Sequence, residues 1–92
     1  MFEVYHAKNP TFGFGPEPKW PDDFTLVAKV ACDERDEAFM LTNNIGQSWD
    51  KNLKVTAFGG QHRSTSIWDA VKNLSTGKVY LCICMGWKEI KA

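Results

Sequence analysis

The stretch FTLVAKVACDERDEAFMLTNNI, residues 24–45, changes its period once, and that change sets the fold class. From Phe24 to Cys32 the residues alternate. Phe24, Leu26, Ala28, Val30 and Cys32 fall on one side, and Thr25, Val27, Lys29 and Ala31 on the other. That is the pattern of a strand in a sheet covered on one face. From Asp33 the period becomes helical. Asp33 suits an N-cap, with Asp36 three positions on, as in a capping box where Asp replaces Glu. Asp33, Glu34, Asp36 and Glu37 crowd the first turn, where the helix dipole favours negative charge. Ala38, Leu41, Thr42 and Ile45 then form a stripe at helical spacing, and Gly46 is placed to end the helix. A strand running straight into a helix that lies back over its apolar face is a two-layer α+β unit.

Working outward, FEVYH (2–6) alternates and reads as a first strand. LKVTAF (53–58) sets Leu53, Val55 and Ala57 against Lys54 and Thr56 and reads as another, broken by Gly59 and Gly60. KVYLCICM (78–85) is apolar almost throughout and is expected to be the central strand, buried on both faces. After Gly86, WKEIK (87–91) either continues past a bulge or forms a short edge. The spacing predicts a short helix over 65–73. The expected fold is therefore α+β, one domain over 1–92. It is a small two-layer sandwich with a mostly antiparallel sheet of four to five strands, a main helix (33–45) and a short helix (65–73).

Composition narrows the function. The chain is 43% hydrophobic, and Lys+Arg equals Asp+Glu at 11 each. Without a basic excess, general nucleic-acid binding is disfavoured. No apolar run approaches the ~20 residues that span a bilayer. The start, MFEVYHAKNP, has an acidic residue at position 3 and no apolar core, so it does not read as a signal peptide. Cys32, Cys82 and Cys84 are odd in number, and none sits in C-x-x-C spacing. They read as reduced thiols packed as small hydrophobes in a cytoplasmic protein. His6 and His62 are isolated, so no metal site, cofactor or catalytic constellation is expected.

Two segments carry the candidate contacts. QHRSTSIWDAVKN (61–73) holds His62, Arg63, several hydroxyls and Asp69. Ser66 and Asp69 have the spacing of a capped helix start, followed by Ile67, Ala70 and Val71 on one face. A Ser–His–Asp triad is disfavoured, because no nucleophile elbow is present and triad members come together from distant sequence. An anion cradle built on Arg63 and the amides of the helix start is the remaining reading. Arg63 has no acidic residue within five positions, so it is expected to lie over Trp68 or to meet an anion. The second segment, AKNPTFGFGPEPKWPDD (7–23), contains all four prolines with Phe12, Phe14 and Trp20. It is either a preorganised binding loop or a lid whose aromatics fold back over the sheet. A third, NNIGQSWDKN (43–52), offers Asn43, Asn44, Gln47, Trp49 and Lys51 as polar contacts, or serves as a helix end with a Trp lid.

RSTSIWDAV followed by TGKVYLCICMGWKEI resembles small phage- and plasmid-borne proteins, including the YodL-like domains of large phage polyproteins. The matching positions are Arg63, Ser64, Ser66, Ile67, Asp69, Val71, Gly77, Tyr80, Gly86 and Trp87. The chain departs from that pattern at Ile67 and at Trp68. The resemblance implies a mobile-element origin and no defined activity. The expected function is an interaction module that binds a protein partner through the aromatic loop. The alternative is nucleic-acid or phosphate-ligand binding through His62, Arg63 and the start near Ser66.

Overall fold

The computed structural model describes residues 1–44, 48–59 and 63–90. Its strands are β1 (Phe2–Ala7), β2 (Phe24–Val30), β3 (Val55–Ala57), β4 (Ala70–Asn73), β5 (Val79–Ile83) and β6 (Gly86–Ile90). They form one sheet in the order β3-β2-β1-β4-β5-β6, and every neighbouring pair is antiparallel. The helix α1 (Arg35–Leu41) and a 3-10 turn (Trp49–Lys51) complete the fold. It is α+β, as the sequence predicts, but with six strands instead of four to five.

The additional strand is β4, where a short helix over 65–73 was expected. Ser66–Asp69 instead makes a tight turn, with the Asp69 N–H donating to the Ser66 carbonyl at 3.0 Å. The chain then runs alongside β1, pairing Val71 with Val4 and Ala70 with Tyr5. Ile67, Ala70 and Val71 fit either period over so short a run. The unpaired side of β1 settles it, since Ala70 and Val71 both become fully buried as strand residues.

α1 is shorter than the predicted 33–45. Its N-cap is Glu34, not Asp33, and no side chain caps it. It stops because Thr42 Oγ1 donates to the Ala38 carbonyl at 2.8 Å and the Thr42 N–H turns back to the Phe39 carbonyl. Such local bonds compete with a further helical turn. Ala38 and Thr42 are buried and Leu41 is half-buried, so the predicted stripe faces the sheet. Ile45 and Gly46 lie outside the described residues.

A bulge divides β2. Val4 pairs with Ala28 but Tyr5 pairs with Leu26, so Val27 is the extra residue. The predicted single face of Phe24, Leu26, Ala28, Val30 and Cys32 is therefore split. Ala28, Val30, Cys32 and Val27 join the core beneath α1, with Phe2, Val4, Trp49, Val55 and Val71. Phe24 turns to the opposite face, where it packs with Ala70, Val79 and Leu81. Among the described residues, no helix covers that second face. The Pro-rich segment crosses it.

Two further expectations are corrected. β5 is fifth of the six strands and not central, and Cys84 and Met85, the end of the strand expected over 78–85, form the hairpin tip after it. Leu53 does not point inward; it is fully exposed just before β3. Of the 87–91 stretch, the described residues 87–90 form an edge, as part of β6, and Lys91 lies outside the described residues. No helix of the described residues is long and apolar enough to cross a membrane.

Candidate functional site

The segment between β1 and β2 is pinned at its base. The Lys8 N–H donates to the Asp23 carbonyl at 2.9 Å, and the Lys19 N–H donates to Asp23 Oδ2 at 2.8 Å. Trp20 packs edge-on against Tyr5 at 4.7 Å and against Phe24 at 5.3 Å. Of the predicted contact residues, Trp20 therefore sits on the second core. Lys88 Nζ, on the edge strand β6, donates to Glu17 Oε1 at 2.8 Å and ties down the middle of the loop.

Its tip is different. Thr11–Phe14 closes a turn, with the Phe14 N–H donating to the Thr11 carbonyl at 3.1 Å. Phe12 and Gly13 have φ of +54° and +94°, the signs of a type I′ turn. Asn or Gly ordinarily takes the first of these positions, and a bulky side chain there is strained. The turn leaves Phe14 80% and Phe12 51% exposed. Gly13 lies so close to Ile67 that a Cβ would come within 2.9 Å of Cγ2.

The turn at Ser66–Asp69 forms the facing wall. Trp68 has φ +75°, the left-handed position of a type II turn, which Gly or Asn usually fills. Its indole Nε1 is buried and has no hydrogen-bond partner among the described residues. A buried donor left unpaired costs about 1–3 kcal/mol. The β5–β6 hairpin supplies the third wall through Ile83, Cys84 and Met85, with Met85 92% exposed. Together Phe12, Gly13, Phe14, Ile67, Trp68 and these three residues line a groove of about 510 Å³. None of them is Asp, Glu, Lys, Arg or His.

Arg63 and Asp69 hold this end of the molecule in shape. Asp69 is fully buried, and four donors meet its carboxylate. Arg63 NH2 (2.7 Å) and the Ala7 N–H (2.8 Å) donate to Oδ1. Arg63 NH1 (2.6 Å) and the Ser66 N–H (2.8 Å) donate to Oδ2. The partner that Arg63 lacks nearby in the sequence is thus six positions away, and the turn folds the chain back to reach it. With its edge engaged, the guanidinium lies over the Phe12 ring, Cζ 5.5 Å from the centroid. Of the capping contacts that the Ser66–Asp69 spacing suggests, the Asp69 carboxylate does reach back to the Ser66 N–H, but the Asp69 N–H goes to the Ser66 carbonyl and not to its hydroxyl, so the pair closes a turn into a strand and caps no helix. His62 lies outside the described residues.

Beneath this runs a directed chain of hydroxyls. Thr42 gives its one hydroxyl proton to a helix carbonyl, and Thr65 gives its own to Thr42 at 2.7 Å. Thr65 Oγ1, 2.8 Å from His6 Nε2, therefore accepts, and His6 carries a proton on Nε2. The Thr65 N–H also donates to the Thr42 carbonyl at 2.9 Å, and Trp49 Nε1 donates to the Arg63 carbonyl at 2.8 Å. The end of α1 and the buried Trp49 thus clamp the 63–65 backbone. Trp49 is a core residue, and Gln47 lies outside the described residues.

Cys32 and Cys82 are buried free thiols, whereas Cys84 is free and exposed at the groove. Burial, reinforced by the charges of Asp69 and Asp36, pushes the Cys82 thiol up to about 11. Burial also raises Cys32. Among the described residues, no three of His, Cys, Asp and Glu gather as a metal-ligand set.

Of the contact residues expected from the sequence, Phe12 and Phe14 line the groove and Arg63 stands behind it on Asp69, whereas Ile67, Trp68, Ile83 and Met85 were not among them. The first two were absorbed into an expected helix and the last two into an expected buried strand. The Met85–Gly86 step after an apolar run was the available sign of a hairpin tip. Comparison with known proteins finds no protein family, curated protein or solved structure that matches the chain.

Proposed function

We propose that the protein is a small interaction module that binds a protein partner through the Phe12–Phe14 tip and the groove beneath it. One observation carries this reading: apolar residues from three separate turns converge on one groove, with Phe12, Phe14 and Met85 exposed, and two of those turns hold a bulky residue at positive φ. Strain of this kind costs stability and is retained where it shapes a binding surface. Exposed aromatic and Met side chains in one patch are typical of interaction surfaces. The alternative, nucleic-acid or phosphate binding through Arg63, has less support because Asp69 already occupies the guanidinium edge. Free thiols fit a reducing cytoplasm, and a mobile-element origin would make the partner a host protein.

The experiment is affinity capture from a lysate of the source cell, with and without nuclease, using the wild-type chain and Phe14→Ala. Capture of a partner that survives nuclease and is lost in Phe14→Ala supports the reading. Capture that nuclease abolishes, or that Phe14→Ala leaves unchanged, overturns it.

A further inference from the structure

We infer that the groove takes a short, uncharged apolar segment of its partner, inserting one or two aliphatic or aromatic side chains between Phe14 and Met85. This inference rests on the reading of the protein as an interaction module and specifies the partner's chemistry. Charge complementarity is the first argument. A quarter of the chain is charged (24%), yet the groove wall has no ionised side chain. A charged insert would lose its hydration there and find no opposite charge. Arg63, the cation behind the Phe12 ring, is held by both oxygens of Asp69.

Size is the second argument. At about 510 Å³ the groove lies in the range of sites that enclose a small ligand or a few side chains. A stable pair of folded copies usually needs about 800 Å² from each partner. Eight residues line the groove, against roughly 20–30 on each side of such an interface, so it fits a segment and not a second globular face. The third argument is adaptability within a fixed frame. Met85 and Cys84 provide soft, polarisable contacts that accept different apolar shapes. Gly13 against Ile67 and Arg63 against Phe12 fix the frame, so little order remains to be imposed on binding.

The test pans a display library of random linear peptides against the full-length chain. Selected peptides are then measured with wild type, Phe14→Ser, Met85→Ser and the distant surface variant Leu53→Ser. The inference expects a consensus with an apolar centre free of Asp, Glu, Lys and Arg. It expects binding to fall about tenfold or more in Phe14→Ser and Met85→Ser, as for loss of a central anchor, and to stay unchanged in Leu53→Ser. Affinity should change less than about twofold between ~50 and ~500 mM salt, since no ion pair forms. No enrichment, a charged consensus, or binding indifferent to Phe14→Ser overturns it. So does concentration-dependent dimerisation that Phe14→Ser abolishes, because the occupant would then be a second copy. If lysate capture still depends on Phe14 while no peptide is selected, the interaction reading stands and the segment inference falls.

Discussion

At the scale of single residues, the Arg63–Asp69 pair and the Phe12 turn make opposite predictions. Asp69 is a buried carboxylate with every acceptor position filled, so removing Arg63 strands a charge. Arg63→Met should destabilise by about 3 kcal/mol or more by denaturant unfolding, since breaking a buried ion pair typically costs about 3–5 kcal/mol. That is well beyond the few tenths to ~1 kcal/mol of an acidic residue acting only on a helix dipole. Phe12→Asn should go the other way. It puts Asn-Gly into a turn that prefers it and removes the strain of a bulky residue at φ +54°. The lost ring contact with Arg63 is worth about 0.5–1 kcal/mol, so stability should stay level or rise by up to ~1 kcal/mol. Partner binding should be lost. A variant that is destabilised yet binds normally would show that Phe12 serves the fold.

At the scale of elements, α1 is too short to hold itself. Seven residues cannot form a stable helix alone, so its order comes from Ala38, Leu41 and Thr42 against the sheet. Because Leu41 is only half-buried, Leu41→Ala should cost about 1–2 kcal/mol, below the range of fully buried leucines. The β5–β6 hairpin sorts the thiols. Cys84, at its tip, should react promptly with a thiol reagent in the native state, and Cys32 and Cys82 only on unfolding. Equal rates for all three would place Cys82 outside the core. The helix was legible in the sequence because its period extends over enough residues to exclude a strand. β4 was not, because the Ser66–Asp69 motif suits a capped helix and a type II turn alike. Only the pairing with β1 separates them.

At the scale of the molecule, the sheet is covered by α1 on one face and by the Trp20-anchored loop on the other. The buried Cys82 and the half-buried Tyr5, together with the raised Cys32, then set its response to alkali. Cys82 moves from 9.0 to about 11, and Tyr5, raised by burial and by its bond to Glu3, from 10.0 to about 12. In the unfolded chain both ionise at their ordinary values. The native state holds those protons longer, so it binds more protons than the unfolded state above pH ~9. The stability these groups contribute is fully present below pH ~9 and is lost as pH rises through ~9 to ~12. Thermal midpoints should fall across that window, and Cys82→Ala should reduce the fall in its lower half. A flat profile would mean that neither group is shielded from solvent.

The sequence by itself determined the α+β class, the alternation of β1, a helix within 33–45 and the zero net charge, because these depend on local period and composition. It also singled out Phe12, Phe14 and Arg63, because aromatics among glycines and a cation without a nearby acid are visible in one dimension. Tertiary structure decided what those residues meet. The bulge at Val27 turns Phe24 to the second face, a change of side that no alternation records. The return of the chain at Ser66–Asp69 brings Asp69 under Arg63 and converts an apparent anion binder into a brace. The groove exists only because three turns, far apart in the chain, end at the same corner of the sheet. Strand order and pairing set that convergence, and they arise from burying both faces at once.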